Sequence, residues 1–493
     1  MIPQTTSIRA IVARFSFPFS ERSIEAVFER RPFAFCGIIS TGEPRFYKNI
    51  PRDQQEWFSS SEIRGCDYAG VDWSTISPLD EALVEAMRPC EVVFLEMISR
   101  LEWKRSIPYS VRKQWYLRHL QFWNDYLEKR RINLYISAWL PHEIPDIVIY
   151  HLCKLRKIPV LYFHTSSIRD NSFAEHDIEK SAEQIGKRYE ELLREYVSVT
   201  DPMQIPLGEE FAARFEALSA PAGQKPPVES IKRLGYWDQV CKMLRASPAS
   251  GLRFLFAYCT PSGLKRAMEG IRRARIIRAR DAYYDAHAID PDLSAKFVYL
   301  PLHFQPEAST VPMGGAFSDQ NLVAALLNAH LPEDVLIYIK EHPRASSWLA
   351  RTVPIYKELL AMKKVRFIRR SADTFALREK CMAVATVTGT AGFEGLFRGK
   401  PVFLFGSRFY QYARGVYRIR TVEDMKAAIQ SVFIEAKKPS LVEARLYLKA
   451  MEETGIRGIL NPWHMKVSRL TEEEHVKNNC EAILRELDLM FAS

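Results

Sequence analysis

Apolar residues in this chain gather in short runs, each closed by proline, glycine or a polar stretch, with amphipathic segments between them. In the C-terminal half the runs are FVYLPL (297–302), VLIYIK (335–340), MAVATV (382–387) and PVFLF (401–405). Short runs of this kind, rich in β-branched and aromatic residues and separated by helical patterns, predict buried parallel strands. IRAIVARF (8–15), FAFCGII (33–39), CEVVFLEM (90–97), INLYISAW (132–139) and IPVLYFH (158–164) give the same signal in the N-terminal half. Between the last two, EIPDIVIYHLCKLRK (143–157) has apolar residues at helical spacing and completes a βαβ unit. Helices are also predicted at 177–197, at 319–330 and, as an amphipathic segment, at 472–491.

The alternation predicts an α/β fold of two Rossmann-like domains facing a cleft, with a C-terminal helix. LSAPAGQKPP (218–227) interrupts the pattern and is the best linker candidate. The expected boundaries are an N-terminal, acceptor-side domain over 1–225, a helical connecting segment over 226–290, a C-terminal donor domain over 291–465 and a terminal helix over 466–493.

Composition narrows the picture. With 493 residues and 47% hydrophobic content the chain can build two or three cores. No run reaches the about 18 apolar residues of a membrane span, and MIPQTTSIRAIVARF lacks a signal-peptide core. Eight cysteines without a C-x-x-C pair, mostly among apolar neighbours, read as reduced core thiols in a cytoplasmic protein. A formal charge of +10 suits anionic partners: nucleic acid, an anionic membrane surface or negatively charged small substrates. RRARIIRAR (272–280) is the densest basic run, either a phosphate-binding surface or a solvated helix face near a domain junction. No RNA-binding or helix-turn-helix signature accompanies it, so a nucleic-acid partner is not expected. Peripheral contact with the anionic cytoplasmic face of the inner membrane is the alternative.

Candidate chemistry lies just past the predicted strands, where ligands bind in open α/β sheets. Thr388-Gly389-Thr390-Ala391-Gly392 precedes a helix predicted from Phe393, and either binds an anion at that helix start or is a tight turn with an N-cap threonine. Glu394, one turn on, is placed to accept from ribose hydroxyls. His342-Pro343 is held at a strand end, with Lys340, Glu341 and Arg344 beside it to meet an anionic donor. His303, Gln305 and Glu307 follow the first of these strands, and a carboxylate there can serve as base or as nucleophile toward an anomeric carbon. In the first half, His142 and Glu143, then Ser166, Arg169 and Asp170, follow strands and are candidates for an acceptor sugar, or ordinary βα loops. H-E-x-x-H and D-x-D patterns are lacking, so neither a metal nor an organic cofactor is expected.

Gln305-Pro306-Glu307, Lys340-Glu341-His342-Pro343 and TVTGTAGFEGLFRGKPVFLFGSRFY (386–410), in that order, resemble the capsule polysaccharide biosynthesis/export family, which includes bacterial β-Kdo glycosyltransferases. A fainter similarity runs through residues 132–170. The resemblance implies a GT-B-like architecture and a CMP-activated 3-deoxy-ulosonate donor held by the C-terminal domain. It implies that His342 contacts the donor phosphate and that Thr388, Gly389 and Thr390 cradle it. Glu307 stands at the family's acidic position, where the retaining Kdo enzymes have an aspartate. The expected function is a glycosyltransferase of capsular or surface polysaccharide synthesis acting on a glycan or lipid-linked glycan. The alternatives are a nucleotide-sugar 2-epimerase and a non-catalytic export or scaffold protein.

Overall fold

A computed structural model describes residues 7–102, 106–220, 260–305, 307, 309–342 and 351–492. The first sheet is laid down by β1 (Arg9–Ala13), β2 (Phe35–Ser40), β3 (Gln55–Ser59), β4 (Leu134–Ser137), β5 (Val160–Thr165) and β6 (Asn171–Glu175). The second contains β7 (Ala288–Ile289), β8 (Phe297–Pro301), β9 (Leu336–Lys340), β10 (Val365–Ile368), β11 (Ala383–Thr386), β12 (Val402–Leu404) and β13 (Val416–Arg418). A last strand, β14 (Ile456–Arg457), returns to the first sheet and pairs with β6. Both sheets have seven strands, ordered β14-β6-β5-β4-β1-β2-β3 and β13-β12-β11-β8-β9-β10-β7. The second is parallel throughout; in the first, β6 runs antiparallel to both its neighbours. The two Rossmann-like sheets expected from the sequence are present.

In each sheet the chain builds outward from one strand and later returns to that strand's other edge. The chain leaves β1 on one side through β2 and β3, and later returns to β1's other edge with β4. It leaves β8 through β9 and β10, then crosses back to place β11 on β8's other edge. The crevices beyond β1 and β4, and beyond β8 and β11, are therefore the natural ligand positions.

The helices beside these crevices and sheets include α1 (Pro18–Arg30), α2 (Arg88–Ile98), α3 (Ile144–Leu155), α4 (Pro261–His287), α5 (Thr390–Leu396) and α6 (Glu472–Phe491). The run at 90–97, expected as a strand, is instead the helix α2. Cys90, Phe94, Met97 and Ile98 are buried while Val92 is 61% exposed. That 4-3-1 spacing is the buried stripe of a helix, and a short apolar run does not by itself distinguish the two periods. The helix expected from Phe393 starts three residues earlier, at Thr390. LRFLFAY (252–258), and the linker candidate from residue 221 on, lie outside the described residues.

The first sheet is covered on one face by a core that includes Phe94, Trp123 and Ile147, and on the other by one that includes Ile24 and Phe28 of α1 and Ile483 of α6. A further core joins residues 168–218 to 393–451, so the two sheets' surroundings share apolar packing. The six described cysteines (36, 66, 90, 153, 381 and 480) are buried and free. Among the described residues no helix is long and apolar enough to cross a membrane.

Candidate active site between the two sheets

His303 follows β8 and Thr388 follows β11, one on each side of the second sheet's reversal. Nε2 of His303 stands 2.9 Å from the Thr386 hydroxyl and 3.3 Å from the Thr388 amide nitrogen. An amide can only donate, so Nε2 is an acceptor and the ring proton sits on Nδ1. Gly389 allows the approach: a Cβ there would lie 2.7 Å from Thr386 Oγ1 and 3.1 Å from the ring. Burial, with Arg351, His342 and Arg408 nearby, drives the His303 pKa down to about 3. The imidazole is neutral and braces the turn.

The turn is also held from outside. Thr388 is buried and its hydroxyl donates to the Ser309 carbonyl, Gly389 N donates to Thr386 Oγ1 at 2.9 Å, and Tyr410 donates to the Gly389 carbonyl. The Thr388 hydroxyl is thus engaged by the protein, while Thr390, first residue of the seven-residue α5, is exposed. Glu394 pairs with Arg378. Gly406, after β12, has no room for a Cβ, which would meet Met313 O and Thr388 Cγ2 at 2.7 Å each. It brings the chain after β12 against the segment leading from Glu307.

Beyond β9, Glu341 is buried and accepts from Arg351 Nη1 at 2.7 Å, from Tyr356 and from the His342 amide. Arg351 also donates to the His303 carbonyl. The His342 ring lies 5.7 Å from that of Phe304. Lys340 donates to the Ala372 carbonyl at 2.6 Å, and burial lowers its pKa. Gln305 donates to the Ser318 carbonyl. Pro343 and Arg344 lie outside the described residues.

Glu307 opens a turn in which its carbonyl accepts from Thr310 N at 3.0 Å and Val311 N at 2.9 Å. The carboxylate is exposed and accepts from the Ser309 hydroxyl at 2.9 Å. Two arginines sense its charge. Arg100, just past α2, donates to the Val311 carbonyl and, at 2.5 Å, to the His142 carbonyl, joining the two sheets' crevices. Burial lowers its pKa to about 10 against the opposing fields of Glu143 and Glu307. Arg408, after β12, is likewise lowered by burial, opposed by Tyr410, Glu175 and Glu307. Each has a buried Nε without a hydrogen-bond partner among the described residues.

On the first-sheet side, Arg14 after β1 makes a bidentate pair with Asp146 of α3, at 2.7 and 2.9 Å, and fixes the loop that carries His142 and Glu143. Burial lowers the His142 pKa, and its Nδ1 lies 2.7 Å from the Leu140 carbonyl. The Glu143 pKa is lowered against the effect of its own burial by Arg14, His142, Arg64 and Arg100. His164, at the end of β5, is held neutral with a pKa of about 3 by burial and by Arg408 and His142. Glu175 is raised to about 7 by burial, while its carboxylate accepts from Ala182 N at 2.8 Å and Ser181 at 3.0 Å.

The structure therefore brings His303, Glu307, His142 and Glu143 together around Arg100 and Arg408. Ser166, Arg169 and Asp170 instead line a cavity of 330 Å³ with Glu210 and Arg214. Ser166 bonds within its own turn, Arg169 pairs with Glu210 at 3.4 Å, and Asp170 accepts from Arg469 N at 2.9 Å. Arg100, Arg408 and His164 were not singled out in the sequence. Arg408 follows a strand-end glycine inside the family block and was open to the same reading as His342.

The comparisons with known proteins bear on this arrangement. Residues 263–459, which contain Glu307, His342 and the 388–390 turn, match the family described as capsule polysaccharide biosynthesis protein. This stretch of the chain is similar to that family. No curated protein matches the chain. Among solved structures, the KpsC β-Kdo 2,7 transferase of Thermosulfurimonas dismutans is 14% identical over 78% of this chain and 95% of its own, with a TM-score of 0.30. The UDP-GlcNAc 2-epimerase of Methanocaldococcus jannaschii is 11% identical over 90% and 99%, with a TM-score of 0.25. A glycosyltransferase of Rickettsia africae ESF-5 is 11% identical over 96% and 97%, with a TM-score of 0.26.

Proposed function

We propose that the protein is a glycosyltransferase of capsular or surface polysaccharide synthesis, moving Kdo or a related ulosonate from a CMP-activated donor to a glycan or glycolipid. The observation that carries this reading is Glu307, an exposed carboxylate at a sheet-reversal crevice within the fields of two half-buried arginines. A CMP-ulosonate presents two anions close together, the phosphodiester and the sugar carboxylate beside the anomeric carbon. Arg100 and Arg408 supply two guanidiniums in a poorly hydrated site, where charge-assisted hydrogen bonds are strong. They offset the charge that grows on the departing CMP, so the reading invokes no metal or organic cofactor. Glu307 is then the nucleophile if configuration is retained, or the base that deprotonates the acceptor hydroxyl if it is inverted. In this reading residues 291–465 hold the donor, residues 1–225 face the acceptor, and the protein works at the cytoplasmic face of the inner membrane.

The test is which nucleotide raises the melting temperature, followed by turnover. CMP should stabilise more than UDP, and CMP-Kdo should be consumed in the presence of a glycan acceptor. Stabilisation by UDP together with epimerisation of UDP-HexNAc would replace this reading with the epimerase one.

A further inference from the structure

The basic run noted in the sequence lies on α4, and this helix has two unlike sides. On the packed side Arg280 and Tyr284 are buried, and the Tyr284 hydroxyl donates to the carbonyls of Ile368 at 2.7 Å and Ile339 at 3.2 Å. Arg273 donates to the Glu102 carbonyl at 2.6 Å. On the opposite side Leu264, Met268 and Ile271 are 59%, 63% and 55% exposed. Their spacing of four and three places them in one stripe along the axis. The next positions of the same stripe are Arg275 and Arg278, with Lys265 and Arg272 on its flank, all exposed.

We propose that this outward face of α4 docks on an anionic phospholipid bilayer. An amphipathic helix lying in the headgroup layer needs an aliphatic stripe to enter the acyl boundary and cations to meet lipid phosphates, and this face supplies both. A nucleic acid would use the arginines but leave three exposed aliphatic side chains without a role. A second copy of the chain would set this positive surface against itself. Glu102, bound by Arg273 on the packed side, is two residues from Arg100, so the segment leading to the crevice lies across the helix from the docked face. On the transferase reading, which it presupposes, this face is the protein's membrane contact.

The experiment is co-sedimentation of the full chain with vesicles of phosphatidylcholine alone, or of two parts phosphatidylcholine to one part phosphatidylglycerol. Binding is expected to the anionic vesicles only, and to weaken with added salt. Leu264→Ser, Met268→Ser and Ile271→Ser combined should lower the bound fraction by about tenfold, as should Arg272→Glu with Arg275→Glu and Arg278→Glu. Both variants should keep the parent melting temperature, since the altered side chains are exposed. Wild type left in the supernatant, or both variants binding like wild type, overturns the proposal. So does tight binding to an RNA homopolymer without vesicle binding, or a dimer in sedimentation that the triple serine variant abolishes. Turnover of CMP-Kdo on a soluble acceptor, kept while vesicle binding fails, would remove this inference and leave the transferase reading standing.

Discussion

Arg351 and Glu341 form a buried ion pair, Nη1 to Oε1 at 2.7 Å, that also hydrogen-bonds the backbone of both His303 and His342. Both side chains are buried. They lock together the segments leaving β8 and β9, so the two histidines keep their places without being held by what they bind.

Breaking that pair should cost stability before it costs chemistry. Arg351→Met leaves Glu341 buried and charged without its cation, and a loss of about 3–5 kcal/mol is expected. The denaturant midpoint should fall with an unchanged m-value. A variant as stable as the parent would show that Tyr356 and the His342 amide suffice for Glu341.

Glu307→Gln should separate chemistry from folding. The carboxylate is exposed and, among the described residues, accepts from Ser309 in its own turn, so the amide can take its place without disturbing the core. Transfer is expected to drop by about 10²–10⁴-fold, whether the lost group is nucleophile or base. Melting temperature and donor KM should change little. Mass spectrometry of wild type trapped with donor separates the two roles: a sugar-sized adduct on Glu307 marks the nucleophile.

Arg408→Met tests the cationic side of the crevice. Among the described residues its buried Nε is without a hydrogen-bond partner, Nη1 lies 3.9 Å from Met313 Sδ, and the guanidinium stands 5.5 Å from the Phe409 ring. The side chain therefore contributes little to folding, and the variant should melt at or above the parent temperature. Donor KM should rise by about 10–100-fold, the range of a lost charge-assisted hydrogen bond of ~1.5–3 kcal/mol. A large fall in melting temperature with normal KM would assign Arg408 to the scaffold.

Three histidines make stability depend on acid. Burial lowers His119, His164 and His303 each to about 3, whereas the unfolded chain takes up these protons near the usual histidine value of about 6.5. Within that window the unfolded state binds more protons than the folded one, so stability rises with pH and is lost as pH falls. Each such group contributes a slope of about 1.4 kcal/mol per pH unit. His119→Asn, which keeps an acceptor for the Tyr68 hydroxyl, should make the denaturation midpoint less steep between about pH 6 and pH 4. An unchanged slope would mean that His119 titrates alike in both states.

The strands were legible because parallel sheets bury both faces, and each leaves a continuous apolar run such as FVYLPL or PVFLF. The strand-end rule then led to His303, Glu307, His342 and the Thr388 turn. CEVVFLEM was misread because eight apolar-rich residues satisfy both periods, and that error hid Arg100, which makes sense only at the end of a helix. Roles within the turn were also beyond the sequence: spacing put Thr388 and Thr390 side by side, but only packing against Ser309 shows that one hydroxyl is engaged and the other exposed. β14 escaped notice because two residues carry no periodicity; pairing with β6 alone defines it.

β14 and α6 alter the order in which the molecule can be made. Ser172 of β6 donates to the carbonyl of Gly458 at 2.6 Å, across 286 residues of sequence, and α1 packs against α6 at the far end of the chain. A ribosome adds about 5–20 residues per second, so the first sheet waits tens of seconds for its last strand and covering helix. Through that interval the open edge of β6 and the apolar side of α1 are bare, while the second sheet, whose strands are contiguous in sequence, can already close. The N-terminal half is thus the last to be finished, and it is there that a chaperone or an aggregating neighbour would first find purchase on the nascent chain.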